Sequence, residues 1–316
     1  MLNSIKLENR EVPYIDRFDK GDFIDRQRAS WRTKHVISIA LSYVAPLGAE
    51  TWRKYTKFGP LEQASQEAFD ALSSHARWED FLAAAKVKLV VDFGPGTGTK
   101  TNAWLNHVST AALLPVLLLV DISKPMLRLA SSAINRAWPD IEMGTLRIEF
   151  EKLSQCRALL PQTAPFGRAL FLMLGQSIGN VGLKSTVKIM RQNALAGDIV
   201  VVELDLARTR DGDRNNPVAT CELYDNEEIR EMCERAVSMV PCGGEILRPR
   251  PQFNEDGSFA VLRHHWDGKC EREVFRSTRY REGNVIWQFR EAGFDLLISA
   301  RARERWTYKN LVFVKR

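Results

Sequence analysis

Apolar and polar positions alternate in blocks through the middle of the chain. Continuous apolar runs at Lys88 to Phe93 (KLVVDF), Val116 to Ile122 (VLLLVDI), Leu146 to Phe150 (LRIEF), Ala169 to Leu174 (ALFLML) and Ile199 to Leu206 (IVVVELDL) predict five strands. Segments of helical period stand between them, at Thr99 to His107, Lys124 to Ala137 and Lys184 to Ala196. Strands that are apolar throughout and separated by helices predict a parallel sheet covered on both faces. Near the end of the chain Val285 to Ala292 predicts a helix, and Asp295 to Ala300 and Asn310 to Lys315 predict strands with only nine residues between them. That gap is too short for a right-handed helical crossover, so the last two strands should pair antiparallel. The fold class expected is α/β, with a Rossmann-like, mostly parallel seven-strand sheet ending in an antiparallel hairpin.

Two segments fall outside this pattern. Residues 1 to 80 read as a mainly helical cap, with Trp31, Trp52, Tyr55 and Phe58 interleaved among basic residues. Residues 207 to 283 read as an insertion that leaves the core through the polar, turn-rich stretch ARTRDGDRNNP. The core is then 81 to 206 together with 284 to 316, and the two outer segments are expected to cover the strand ends. No internal repeat or low-complexity tract interrupts this organisation.

Composition narrows the class. Of 316 residues 45% are hydrophobic and 27% charged, which excludes a disordered or fibrous chain. The net charge of +6 is spread along the sequence, without the concentrated basic face of a nucleic-acid binder. Five cysteines (Cys156, Cys221, Cys233, Cys242 and Cys270) include no CxxC pair, so neither a disulfide framework nor a zinc site is signalled and a reducing cytoplasm is expected. The longest apolar run, Ala111 to Val120, is too short to span a bilayer and contains Pro115, and the first residues lack an apolar targeting segment. The expected state is a cytoplasmic monomer.

Chemistry concentrates where the first strand turns into a helix, at Asp92-Phe-Gly94-Pro-Gly96-Thr-Gly98. Glycines there let backbone approach a nucleotide-like ligand, and the helix N-terminus supplies free amides. The third glycine of the dinucleotide pattern would fall on Thr99, which disfavours NAD, and no phosphate loop with its Gly-Lys pair can be read. Asp121 ends the second strand, where a carboxylate can accept from both ribose hydroxyls. Asp92, two positions before the first glycine, is the added feature of S-adenosylmethionine sites and can hold the methionine ammonium. Glu149 and Phe150 close the third strand, placed to accept from an adenine amino group and to cover the ring. After the fourth strand comes Gly175-Gln-Ser177-Ile-Gly179-Asn180, a polar loop at the carboxyl edge where ligands of open α/β folds bind.

Other candidates carry less. His264, His265 and Cys270 lack a matching ligand pair elsewhere, so no metal is assigned. Ser177 lacks the context of a hydrolase nucleophile. The Arg301, Arg303 and Arg305 run reads as a solvated turn, and no Asn-Pro-Pro-aromatic element follows strand four.

Residues 88 to 206, with FGPGTGTKT, VDISKPML, Glu149-Phe150, LGQSIGN and VVVELDL, resemble the histidine-specific N-α-methyltransferase family of class I, S-adenosylmethionine-dependent enzymes. GQSIGN is the most specific part, since that family carries Gly-Ser-[Ser/Thr]-Ile-Gly-Asn after strand four. The resemblance implies that Asn180 contacts an amino-acid substrate. It implies the same for Tyr224 in Leu223-Tyr224-Asp225-Asn226, similar to the family's Ala-Tyr-Asp-Asp. Ser277-Thr-Arg279-Tyr280 resembles its Ser-x-Lys-Tyr. Two residues before that serine the family has an imidazole-reading Glu, and this chain has Phe275. EEIREMCERA replaces the Gly-Val-Thr-Ala-x-Phe-Asn run that follows Tyr-Asp-Asp. The function expected is therefore N-methylation of an amino acid or amino-acid-derived amine other than histidine. S-adenosyl-L-methionine is held by Asp92, Gly94, Gly96, Gly98, Asp121, Glu149, Phe150 and Gly175, and the acceptor by Asn180, Tyr224, Phe275 and Ser277. Methylation of a natural-product oxygen or of a protein or RNA site, and a non-catalytic S-adenosylmethionine-binding protein, remain open alternatives. No residue is assigned as an acid–base catalyst.

Overall fold

A computed structural model of the chain describes residues 3–7, 10–58, 60–109, 114–154, 156, 167–207, 217–240, 242–302 and 307–316. The polar stretch at 208–216 and Arg303 and Arg305 of the arginine run lie outside the described residues.

The chain begins with a hairpin, β1 (Asn3–Lys6) and β2 (Glu11–Asp16), and continues through helices α1 (Lys20–Thr33), α2 (Ala40–Val44), α3 (Gly48–Phe58), α4 (Pro60–Ser73) and α5 (Ala76–Ala85). Alternating units follow: β3 (Leu89–Phe93), α6 (Thr99–Val108), β4 (Val116–Asp121), α7 (Lys124–Ala137), β5 (Met143–Arg147), β6 (Ala169–Met173), α8 (Ser177–Val181), α9 (Leu183–Asn193) and β7 (Ile199–Asp205). The insertion contains α10 (Pro217–Leu223), α11 (Glu227–Ser238) and strands β8 (Glu245–Ile246), β9 (Arg250–Phe253), β10 (Phe259–Trp266) and β11 (Glu271–Arg279). The chain closes with α12 (Glu282–Glu291), β12 (Phe294–Arg301) and β13 (Tyr308–Lys315).

The main sheet runs β1-β2-β5-β4-β3-β6-β7-β13-β12. From β2 to β7 neighbours are parallel, and β13 lies antiparallel to both β7 and β12, as the short connection between the last two strands requires. Side chains alternate between two cores. Val90, Leu117, Leu119, Leu170 and Val201 pack on one face beneath α4 to α7, while Leu89, Val91, Leu118, Phe171 and Val200 pack on the other beneath α8, α9 and α12. Strands buried on both faces are apolar at every position, which is why they stand out in the sequence.

Three features differ from the sequence reading. Strands β1 and β2 extend the sheet to nine strands instead of joining a helical cap: Ile5, Val12 and Tyr14 bury one face against the core. Strand β5 covers Met143–Arg147 and ends before Glu149, because Phe150–Lys152 turn into a 3-10 helix. The insertion carries a four-stranded antiparallel sheet, β8 to β11, whose mixed sequence hides any strand period. A third core joins it to the N-terminal helices, with Phe23, Trp31 and Leu41 packed among Met232, Val261 and Phe275. Among the described residues no helix is long and apolar enough to cross a membrane.

Candidate functional site

Local chemistry sets the site. Helix α6 starts at Gly98, whose φ of 82° favours glycine; a Cβ there would come 3.0 Å from the Ala130 carbonyl oxygen of α7. The glycine turn therefore lets α6 sit against α7. Ser123 caps α7 by accepting from the Met126 N–H, with Pro125 in its first turn, and so fixes the loop that follows Asp121. On the other side Gly94 approaches Ser177 and Phe150, where a Cβ would meet Ser177 Oγ at 3.2 Å.

These turns border a cleft with two joined lobes, sharing Trp52, Gly94, Gly96, Gly175, Ser177 and Asn180. The first lobe, about 1260 Å³ including its open mouth, lies between β4, the 3-10 turn and α1, and is lined by Asp121, Ile122, Met126, Glu149, Phe150 and Phe23. The second, about 930 Å³ including its open mouth, lies beneath the cap, where Asp92, Tyr224, Phe275, Ser277 and Tyr308 converge. The structure thus brings together eleven of the twelve candidate residues named from the sequence around one cleft; Gly98 stands behind it as the helix start.

Asp92 is buried and accepts from Thr101 Oγ1 at 2.6 Å through Oδ2, while its buried Oδ1 has no partner among the described residues. Burial pushes this carboxyl up to about 7, against the lowering effect of the Thr101 hydroxyl and of Lys100. Asp121 accepts from the Ser123 N–H at 2.7 Å, and burial pushes it up to about 7 as well, with the Asp92 charge adding to the rise. A buried carboxylate oxygen left unpaired is costly, and a ligand cation or hydroxyl relieves that cost. Two carboxylates in a glycine-walled cleft, one of them with an orphaned oxygen, fit a ligand carrying an ammonium and a free ribose. S-adenosylmethionine has both.

Phe150 meets Phe93 edge-on at 5.7 Å and flanks the first lobe. Glu149 is not a free acceptor: its Oε1 lies 2.7 Å from Arg26 Nη2 and 2.8 Å from Lys152 Nζ. In the second lobe Asn180 Oδ1 is buried without a partner among the described residues, and the Phe275 ring lies 5.4 Å from that of Tyr224. Burial holds the phenols of Tyr43, Tyr55 and Tyr308 well above their usual range, so they stay neutral.

Several lining or supporting residues escape the sequence reading. Trp52 and Tyr55 of α3 lie 5.3 Å apart with their rings tilted by 40° and line the cleft, and their aromatic spacing is visible without indicating a role. Glu203 and Asp205 are two acids two positions apart in an apolar strand, hence on one face at the carboxyl end of β7. That pattern is a readable signal. Glu203 accepts from Lys100 Nζ at 2.8 Å and from the Gly175 N–H at 3.2 Å, so it braces the loop after β6 against α6. His264 and His265 sit on β10 away from this cleft, and no group of three metal-capable side chains occurs among the described residues.

With the cleft in place, comparison with known proteins adds the family. The family described as histidine-specific, SAM-dependent methyltransferases matches residues 47–212, just over half of the chain. The chain belongs to this family. A histidine N-alpha-methyltransferase from Mycolicibacterium smegmatis is 32% identical over 105 residues, covering 33% of this chain and 31% of that protein. The chain thus spans about a third of the length of the curated relative it matches. Among solved structures, magnesium protoporphyrin IX methyltransferase from Synechocystis PCC 6803 aligns with 11% identity over 87% of this chain and 97% of its own, at a TM-score of 0.48. An amino pentose methyltransferase from Micromonospora echinaspora aligns with 15% identity over 78% and 92%, at 0.41. The glycine turn, Asp121 and Asn180 lie within the span that this histidine-specific methyltransferase family matches, while Tyr224, Phe275 and Ser277 lie beyond it.

Proposed function

We propose that this protein transfers methyl groups from S-adenosylmethionine to the amine of an amino acid, or of a small molecule derived from one, other than histidine. The observation that carries the reading is the junction of the two lobes, where Gly94, Gly175 and Asn180 border both. A donor lying in the first lobe, with its methionine end reaching across the shared border to Asp92, and an acceptor held in the second lobe by Asn180 and Tyr224 would meet there.

When bound, S-adenosylmethionine supplies an electrophilic methyl on a sulfonium. Asp92 would hold its ammonium, the Gly94 and Gly96 turn its backbone-facing edge, Asp121 its ribose and Phe150 its adenine ring. Asn180 and Tyr224 would orient the acceptor, and the cap helices exclude water from the junction. In-line displacement needs alignment above all, so the largest contribution of these side chains is to hold the two partners at near-attack separation. The neutral phenols lining the lobe add no negative charge that would favour a protonated amine, so the amine that reacts would be the fraction that has already released its proton to solvent. Phe275 presents a ring where an imidazole would need a hydrogen-bond partner, and an unpaired polar edge there would cost about 1–3 kcal/mol. Aromatic or aliphatic side chains would pack on it instead.

Mass spectrometry of a panel of free amino acids incubated with enzyme and donor tests the reading. Methylated products are expected from aromatic or aliphatic members. Efficient formation of trimethylhistidine would refute the exclusion of histidine, and no product across the panel would refute a free amino acid as acceptor.

A further inference from the structure

Arg279, the last residue of β11, is wholly buried and donates in three directions. Nε donates to Asp205 Oδ2 at 3.1 Å, Nη1 to Ser277 Oγ at 2.8 Å and to the Ser277 carbonyl at 2.9 Å, and Nη2 to the Tyr224 hydroxyl at 2.6 Å. Its charge is matched by Asp205, which also accepts from the Thr307 hydroxyl. The guanidinium lies 4.9 Å from the Tyr224 ring centre, so it supports the phenol from its face as well as at its oxygen.

A guanidinium has donors and no acceptor, so each hydroxyl oxygen facing it must accept. The remaining hydrogens of Tyr224 and Ser277 must then point elsewhere, and no acceptor takes them among the described residues. Both side chains line the second lobe. Gly179 lets β11 carry Ser277 up against α8, since a Cβ on it would meet the Thr278 carbonyl at 2.8 Å and Ser277 Oγ at 3.3 Å.

We propose that Arg279 is a positioning residue that fixes Tyr224 and Ser277 as paired hydrogen-bond donors, so that the acceptor molecule presents lone-pair oxygens, as a carboxylate does, to this end of the lobe. The inference rests on the methyltransferase reading, because it takes the second lobe as the acceptor site. It also gives the chain's arginine a purpose that a lysine does not fill, since three separate contacts need the planar fork.

Calorimetry on protein saturated with S-adenosylhomocysteine, titrated with phenylalanine and with phenethylamine, tests it. The two probes differ only in the carboxylate. Phenylalanine is expected to bind at least about tenfold tighter, as charge-assisted hydrogen bonds to two hydroxyls allow. In Tyr224→Phe and Arg279→Met that ratio should collapse towards one, and Arg279→Lys should restore part of it. A merely structural role would instead lower melting temperature and the affinity for S-adenosylhomocysteine together, leaving the ratio intact. Equal binding of the probes, binding of neither to the loaded protein, or an unchanged ratio in the folded variants would overturn the proposal. Tyr224→Phe keeps the Arg279 to Asp205 pair and decides the matter if Arg279→Met does not fold. Failure of S-adenosylhomocysteine itself to bind would overturn the methyltransferase reading along with it, which separates the two failures.

Discussion

Arg26 of α1 and Glu149 of the turn after β5 meet at 2.7 Å across the rim of the first lobe, joining the N-terminal helices to the sheet. Lys152 shares the same carboxylate oxygen, and Asp22 bonds both cations. Arg26 is nearly half exposed, so Arg26→Ala should lower stability by less than about 1 kcal/mol. Its effect should appear in kinetics, as faster release of S-adenosylhomocysteine in stopped-flow experiments. An unchanged release rate would show that the pair does not restrain the rim.

S-adenosylhomocysteine at 100 times its dissociation constant should stabilise the fold by about 2.7 kcal/mol, whereas NAD should leave the melting temperature unmoved. A thermal-shift experiment with both ligands checks this. A response to NAD alone would mean that the glycine turn serves a different nucleotide.

Asp121→Ala should weaken S-adenosylhomocysteine at least tenfold, because each ribose hydroxyl bond to a carboxylate is worth about 1.5–3 kcal/mol. The folded variant, titrated by calorimetry, decides. An unaltered dissociation constant would take Asp121 out of the site.

Asp92 titrates near 7 in the free protein and would be held ionised by a bound ammonium. Protonation therefore competes with the ligand, and affinity should fall by about tenfold between pH 8 and pH 6. In the absence of ligand the sign reverses. Raising a buried carboxyl above its unfolded value favours the protonated folded state, so this group's contribution to stability diminishes as pH climbs from about 4 to about 7. Asp92→Asn should flatten the affinity profile, and a wild-type profile already flat from pH 6 to pH 8 would contradict the assigned role.

The core was legible because its strands are buried on both sides. Val90 and Val91 face opposite cores, yet both must be apolar, and such a run cannot be mistaken for a surface segment. The hairpin of β1 and β2 was not, since it is short, edge-placed and buried on one face only, and Pro13 between Val12 and Tyr14 disguises the strand alternation. Strand β5 was read three residues late because Ile148 and Phe150 prolong the apolar pattern past the true end of the ladder. Within the site, residues adjacent to the glycine turn could be inferred from local spacing alone. Arg279 could not, because its partners Asp205 and Tyr224 are 74 and 55 positions away and meet it only after the insertion folds back.

The third core has an implication for how the chain is made. Trp31 and Leu41 leave the ribosome before Met232, Val261 and Phe275, against which they pack and which follow roughly 200 residues later; at about 5–20 residues per second that is a delay of about 10–40 seconds. Over that interval the nascent N-terminal helices hold aromatic surface with nothing to cover it, while the parallel sheet can already begin to assemble behind them. Synthesis in extracts lacking ribosome-associated chaperones should therefore favour aggregation through these helices, and the cleft is completed only after the insertion has closed over them and Tyr308 of the last strand has joined the sheet.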